Sequence, residues 1–244
     1  MAGTLQSVSA AVRPQRVFRR RYVWQWPIRV FHWVNAASVA GLFATGLYMA
    51  SPSFELAPAG EAWRHLLMAK VRLVHFTLGY VMCVNFLWRS YWFWMGNPYA
   101  RSGLPRVWSP RWWRDLFQQG WDYLRLDRGH IHLGHNSLGG LAYTVFVIAL
   151  GWVQILLGFA LYSQQNPHGF WAASTGWVIP LLGGPFQAQM WHHLFAWGFA
   201  FFAVLHIYIV FYDGLQYKNG LVGSMISGEK FFQEGDVEDE PGAR

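Results

Sequence analysis

The sequence predicts an all-α membrane protein, a bundle of four transmembrane helices. Three observations predict it: an apolar and aromatic composition, four long apolar stretches, and an uneven spread of arginine. Of 244 residues, 54% are hydrophobic and 19% aromatic, while only 13% are charged. Soluble domains average about 25% charged residues. The 16 tryptophans are a heavy load for a globular core, and Trp and Tyr collect where bilayers meet water.

The apolar stretches cover residues 30–50, 73–95, 137–161 and 190–212. A span needs about 20 mostly apolar residues, and each stretch meets that length. A fifth, 169–182, is shorter and is broken by Gly176 and Pro180. It is expected to lie in the interface or to re-enter. The whole chain, 1–244, reads as one integral membrane domain.

Arginine sets the orientation. The arm 1–29 carries Arg13, Arg16, Arg19, Arg20, Arg21 and Arg29 and no acid; the loop 96–135 carries Arg101, Arg106, Arg111, Arg114, Arg125 and Arg128. The loop 51–70 has only Arg64 and Lys70, and 162–189 has neither Lys nor Arg. Both termini are therefore expected in the cytoplasm of a bacterial inner membrane, in a multi-pass arrangement. The apolar run after the arm ends in no small-residue cleavage site and is expected to stay as the first helix. The tail, about 232–244, is acidic and expected to be disordered.

Composition also excludes several chemistries. A single cysteine, Cys83, rules out a disulfide framework, a cysteine-based zinc or iron–sulfur site, and covalent c-type haem attachment. The net charge of +7 sits beside apolar runs, so it points to membrane topology and lipid contact, not to nucleic acid.

Ionisable groups inside a membrane are costly and are usually functional. His75 and His192 fall near the outer starts of the second and fourth stretches. His32 and His206 fall in the cytoplasmic half. From His192 to His206 the helix turns through about 1400° and rises about 21 Å. That is within about 40° of four full turns, so they share a face, whereas His193 points about 140° from His206. Two layers result, His75 with His192 and His32 with His206. Imidazole suits iron, histidine is a recurring axial ligand of haem, and a bundle core is a usual cofactor site. The four histidines are read as axial ligands of two haem b irons whose macrocycle edges lie within electron-tunnelling reach. On spacing alone, a histidine proton relay or plain core packing remains open.

Further residues fall on the same faces. Gly46, about four turns after His32, and Gly79, one turn after His75, either make room for a macrocycle or serve helix packing. Arg89, about four turns after His75, either meets a haem propionate or snorkels to the interface. Arg72 has the same two readings at the outer side.

The residues also match a known family. Trp26-Pro27-Ile28-Arg29-Val30-Phe31-His32-Trp33, Arg72-Leu73-Val74-His75-Phe76, Gly134-His135-Asn136, Gly158-Phe159-Ala160-Leu161-Tyr162, Trp191-His192-His193-Leu194 and Met225-Ile226-Ser227-Gly228-Glu229-Lys230 carry the match, from about Tyr22 to Phe231. In their order and spacing the chain resembles the b-type cytochrome subunit of membrane-bound nickel–iron uptake hydrogenases. That family is akin to the cytochrome subunits of formate dehydrogenases. The resemblance implies two haem b groups, the outer on His75 and His192 and the inner on His32 and His206. It implies hydrogenase small and large subunits docked on the outer face and quinone as electron acceptor. It also implies an electron-transfer subunit of a hydrogen:quinone oxidoreductase complex, within a symmetric oligomer. Asn136 falls where the formate-dehydrogenase relatives place quinone, and His135 beside it is suited to relay protons. The bland roles are a helix cap for Asn136 and an interfacial histidine for His135. A formate dehydrogenase partner is the alternative within this class, and a histidine-relay transporter of protons or solutes the alternative outside it.

Overall fold

The computed structural model describes residues 18–52, 66–127, 132–217 and 220–233. Among them, four helices are long and apolar enough to cross a membrane: Trp26–Ala50, Leu67–Met95, Ser137–Ser163 and Pro185–Tyr217. Residues 1–17, the loop 53–65 with His65, 128–131 with Arg128 and His130, and the acidic tail from 234 lie outside the described residues.

The helices α1 (Trp26–Ala50) and α2 (Leu67–Met95) begin before the apolar stretches 30–50 and 73–95 do. The reason is physical. Apolar length measures the hydrocarbon layer, while polar residues such as Arg29 and Lys70 occupy further helical turns at its margins. The start of α1 has Pro27 in its first turn, where the missing N–H costs nothing. The Gln25 side chain leaves α1 uncapped and binds elsewhere: Oε1 accepts from Trp92 Nε1 (3.0 Å) and from the Asn97 amide (2.9 Å). That contact ties the entry of α1 to the exit of α2.

After α2 come a 3-10 turn, Pro98–Arg101, and α3 (Pro110–Arg125). Trp112 and Leu116 of α3 are buried, while Phe117, Trp121 and Leu124 are exposed. An amphipathic helix with exposed aromatics beside arginines suits a membrane surface. The third span runs through α4 (Ser137–Ala142), a π-helical stretch Tyr143–Ala149, and α5 (Leu150–Ser163). Two short helices, α6 (Phe170–Thr175) and α7 (Val178–Leu181), occupy the segment 169–182 and pack on α5. The longest helix, α8 (Pro185–Tyr217), is followed by α9 (Leu221–Ser227).

Two strands close the end of the bundle at which α1 begins and α8 stops, the inner end. β1 (Phe18–Tyr22) pairs antiparallel with β2 (Glu229–Gln233), from Phe18 opposite Gln233 to Tyr22 opposite Glu229. The Gly228 carbonyl accepts from the amides of Val23 (2.8 Å) and Trp24 (3.0 Å).

The core runs along the bundle in three clusters. Val23, Trp24, Ile28, Ala100 and Leu133 fill the inner end. Phe31, Met82, Phe86 and Phe199 fill the middle. Leu157, Ala160 and Val178 fill the outer end. Phe86 reaches the third span because Gly151 faces it; a methyl group there would overlap the Phe86 ring. Outside this core, Leu73, Val84, Leu87, Trp94, Phe201, Val204 and Ile207 are exposed. So broad an apolar surface is foreign to soluble monomers and matches a hydrocarbon environment.

Candidate functional site

The fold brings the four histidines together as two pairs. The His75 ring on α2 faces the His192 ring on α8, with centroids 6.4 Å apart and planes at 69°. The His32 ring on α1 faces the His206 ring on α8 at 6.2 Å and 52°. Neither separation permits a direct hydrogen bond. Both match one metal atom held between two imidazoles. Bonds of about 2 Å, with ring centres roughly 1.1 Å behind the nitrogens, give a centroid separation of about 6.2 Å.

The Thr45 hydroxyl donates to the Gly41 carbonyl at 2.6 Å and lies 2.8 Å from Nδ1 of His75. With its proton spent on Gly41, it accepts from His75 Nδ1–H and leaves the lone pair on Nε2. The Nδ1 atoms of His32 and His192 are buried without a partner. Gln154 Nε2 donates to the His192 carbonyl at 2.9 Å, holding α8 against α5 at this level. His193 turns aside and accepts from Trp197 Nε1 at 3.3 Å on its own helix.

Small residues line the outer pair. A methyl group on Gly46 or on Gly158 would lie 3.4 Å from Cε1 of His75 or of His192, while one on Gly79 would meet nothing within 4 Å. Gly46 therefore makes room for the imidazole itself, and Gly79 leaves open space one turn below it.

Among the described residues, no group of three or more His, Cys, Asp or Glu side chains could hold a metal ion. Each pair offers two imidazoles, so a metal held between them would take its remaining donors from the group that carries it. Haem meets that demand, and the donor set, the separations and the fixed His75 tautomer all fit it.

A second constellation sits at the inner end. Asn136 caps α4, its Oδ1 accepting from the Gly139 amide at 2.6 Å, which leaves its Nδ2 as a donor. The Asn136 side chain interacts with the Tyr123 hydroxyl, whose pKa is raised by burial and further by the Asp213 carboxylate; Tyr123 donates to Asp213 Oδ2 at 2.8 Å. His135 rests on the Ser102 hydroxyl, which donates to the Tyr99 carbonyl (2.8 Å) and stands 3.0 Å from His135 Nδ1. Burial, then the charges of Lys230 and Arg89 and the neighbouring His206, push the His135 pKa down to about 3. This histidine is neutral at physiological pH.

Arg89 turns inward and does not snorkel: it is buried, and its Nη2 donates to the Ala100 carbonyl at 2.6 Å. Arg72 is exposed at the outer end, and so is His168. Cys83 is a free, half-buried thiol.

The sequence reading did not single out Thr45, Ser102, Tyr123, Tyr143, Asp213 or Lys230. Thr45 had a findable signal, since it lies just before Gly46 on α1, at the depth of the outer pair. The others are joined across elements far apart in the chain, and no spacing encodes that.

Known proteins resemble the chain along most of its length. The model of the prokaryotic cytochrome b561 family matches residues 23–228, which include all four histidines. This chain belongs to that family. Among curated cytochromes, it is 35% identical over 216 residues to the "Probable Ni/Fe-hydrogenase B-type cytochrome subunit" of Azotobacter chroococcum mcd 1, covering 87% of this chain and 89% of that one. The protein of the same name from Cupriavidus necator is 32% identical over 231 residues, covering 92% of each chain. The "Probable Ni/Fe-hydrogenase 1 B-type cytochrome subunit" of Escherichia coli K12 is 27% identical, covering 88% and 93%. As a prokaryotic cytochrome b561 the chain is a haem b protein of electron transport, embedded by four apolar helices.

Proposed function

We propose that this cytochrome is the membrane electron carrier of a nickel–iron hydrogenase, holding two haem b groups in series between a docking face at the outer end and a quinone site at the inner end. One observation carries the reading. On α8, His192 and His206 stand four turns apart, about 21 Å, and each faces a histidine of another helix at 6.4 or 6.2 Å. The relatives named as hydrogenase cytochrome subunits support the choice of partner.

Bound haem b supplies a reversible one-electron couple. The chain's residues do the rest. His75 and His192 hold the outer group, with Thr45 keeping the lone pair of His75 on Nε2. His32 and His206 hold the inner one. Electrons from the hydrogenase small and large subunits enter at the outer pair and leave at the inner pair. Quinone meets the chain where Asn136 offers its Nδ2 proton and His135, neutral on Ser102, stands beside it as a hydrogen-bonding partner. The inner end, with both chain ends and the arginine-rich loop, faces the cytoplasm of the inner membrane by the distribution of Lys and Arg. Quinone reduction there takes up cytoplasmic protons.

The test is a pyridine-haem assay on the complex. The reading expects two haems per chain. His75→Ala or His192→Ala should remove one and His32→Ala or His206→Ala the other. A single haem in the wild type, or haem retained after His192 and His206 are both replaced, overturns it. Co-purification with a nickel–iron hydrogenase checks the partner.

A further inference from the structure

Arg89 presents a charge that the surrounding protein does not balance. Only 5% of the residue is exposed, and Nη2 donates to the Ala100 carbonyl. Nε and Nη1 are buried without a partner. Its guanidinium carbon lies 6.0 Å from the centre of the Phe31 ring and 5.6 Å from that of Tyr143. The Tyr143 hydroxyl is also buried, with the guanidinium as its polar neighbour. A buried guanidinium with two idle nitrogens is costly, and aromatic faces offset only a little of that cost. A second buried cation, Lys230, 3% exposed, lies 5.3 Å from the Trp24 ring centre, donates to the Gly134 carbonyl and has the Asp213 carboxylate in its field. His135 sits between Trp24 and Tyr143, at 5.1 Å from each, and as a neutral ring supplies no compensating charge.

The position of this charge identifies the anion. Arg89 follows His75 on α2 by the same interval that separates His192 from His206 on α8. Both helices run from the outer to the inner end, so Arg89 stands at the depth of the inner pair. Phe31, against which the guanidinium lies, precedes His32 directly. The Phe31 carbonyl accepts from Asn85 of α2 at 3.0 Å, which holds this part of α1 to the helix of Arg89. A lipid phosphate cannot reach so buried a group. A quinone ring is neutral and leaves the charge unbalanced. Haem b carries two propionates on one edge, and a guanidinium pairs with a carboxylate through two charge-assisted hydrogen bonds.

We propose that Arg89, with the Tyr143 hydroxyl beside it, holds a propionate carboxylate of the haem bound by His32 and His206. The proposal rests on the reading of that pair as haem ligands and adds which side chains fix the macrocycle's rotation and set its potential. Loss of the cation leaves the carboxylate uncompensated, which favours the ferric form.

Potentiometric titration of the full chain tests this, with wild type, Arg89→Met, Arg89→Lys and Tyr143→Phe followed through the inner haem's absorbance. In Arg89→Met the ferrous-to-ferric ratio at fixed potential should fall at least tenfold, a drop of about 59 mV for a one-electron couple. The couple should also acquire a pH dependence near neutrality, where the released carboxylate titrates. Arg89→Lys should restore most of the shift, and Tyr143→Phe should give a smaller one. Reconstitution with protohaem dimethyl ester, which has no carboxylates, should raise the wild-type couple, where it leaves the guanidinium unbalanced, and should abolish the pH dependence that Arg89→Met acquires. If Arg89→Met does not accumulate, the ester on wild type and the Tyr143→Phe titration decide. Unchanged potentials in Arg89→Met, or in both of those, overturn the proposal. So does a variant with a wild-type couple that is slowed only toward quinone, for then the guanidinium faces quinone. Wild type without haem would instead overturn the assignment of the four histidines as ligands.

Discussion

The hydroxyl of Thr45 on α1 and Nδ1 of His75 on α2 stand 2.8 Å apart, and the Thr45 proton points to the Gly41 carbonyl, 2.6 Å away. The contact crosses from one span to the next and decides which nitrogen of His75 carries a lone pair. Second-layer contacts of this kind are worth about 10–100-fold in metal affinity. Thr45→Val keeps the shape and removes the acceptor. On the proposed two-haem reading, the outer haem should bind at least tenfold more weakly, with the inner one unaffected, as read by haem titration of the apoprotein. Thr45→Ser should behave as wild type.

Gly46 and Gly158 face the two rings of the outer pair from opposite helices, each with room for no more than a methyl group. Gly46→Leu or Gly158→Leu should displace His75 or His192 and lower the haem count by one, while the spectrum of the inner haem persists. Equal loss of both haems would mean that the bundle itself had failed.

His135 makes stability depend on pH. Its folded pKa is depressed to about 3, chiefly by burial, against an unfolded value near 6.5. The unfolded chain therefore binds the proton first as pH falls. Its contribution is complete above about pH 6.5 and is lost progressively between there and pH 3. Thermal scans in detergent at pH 7.5, 6 and 5 should show falling stability, and His135→Asn should flatten that trend. A carboxylate bound at Arg89 counters the same field, so the apoprotein should show the steeper slope.

Gly228 adopts φ +84°, and a methyl group there would lie 2.6 Å from the Trp24 carbonyl oxygen. Left-handed backbone costs a residue with a side chain about 1–2 kcal/mol, before the clash. Gly228→Ala should lower the melting temperature by several degrees and detach β2 from the start of α1. Protease nicking near residue 228, absent in wild type, would report it.

Much of this architecture was legible in the chain. The spans follow from apolar length, and the pairing of histidines from the interval between His192 and His206, because a step of about four full turns returns to the same helix face. The helix period places Arg89 at the depth of the inner pair but leaves open whether it turns inward or snorkels, since a long flexible stem permits both. Packing against Phe31 and Tyr143 settles the direction. Tyr143 opens a π-helical stretch, where the usual spacing of faces does not hold. The strand pairing was hidden for another reason. Arg19, Arg20 and Arg21 show no alternation of apolar and polar residues, so nothing in that arm predicts a ladder. Lys230, buried at its end, resembles an ordinary charged tail residue until β2 folds it against Trp24.

The ladder between β1 and β2 has a consequence for biogenesis. Its first strand leaves the ribosome before any span has been inserted, and its partner emerges only after the fourth. The inner end therefore stays unsealed until β2 has been made, and a chain stopped short of Glu229 keeps an unpaired edge open to proteases. Closure of five residue pairs thus reports that every span has been made.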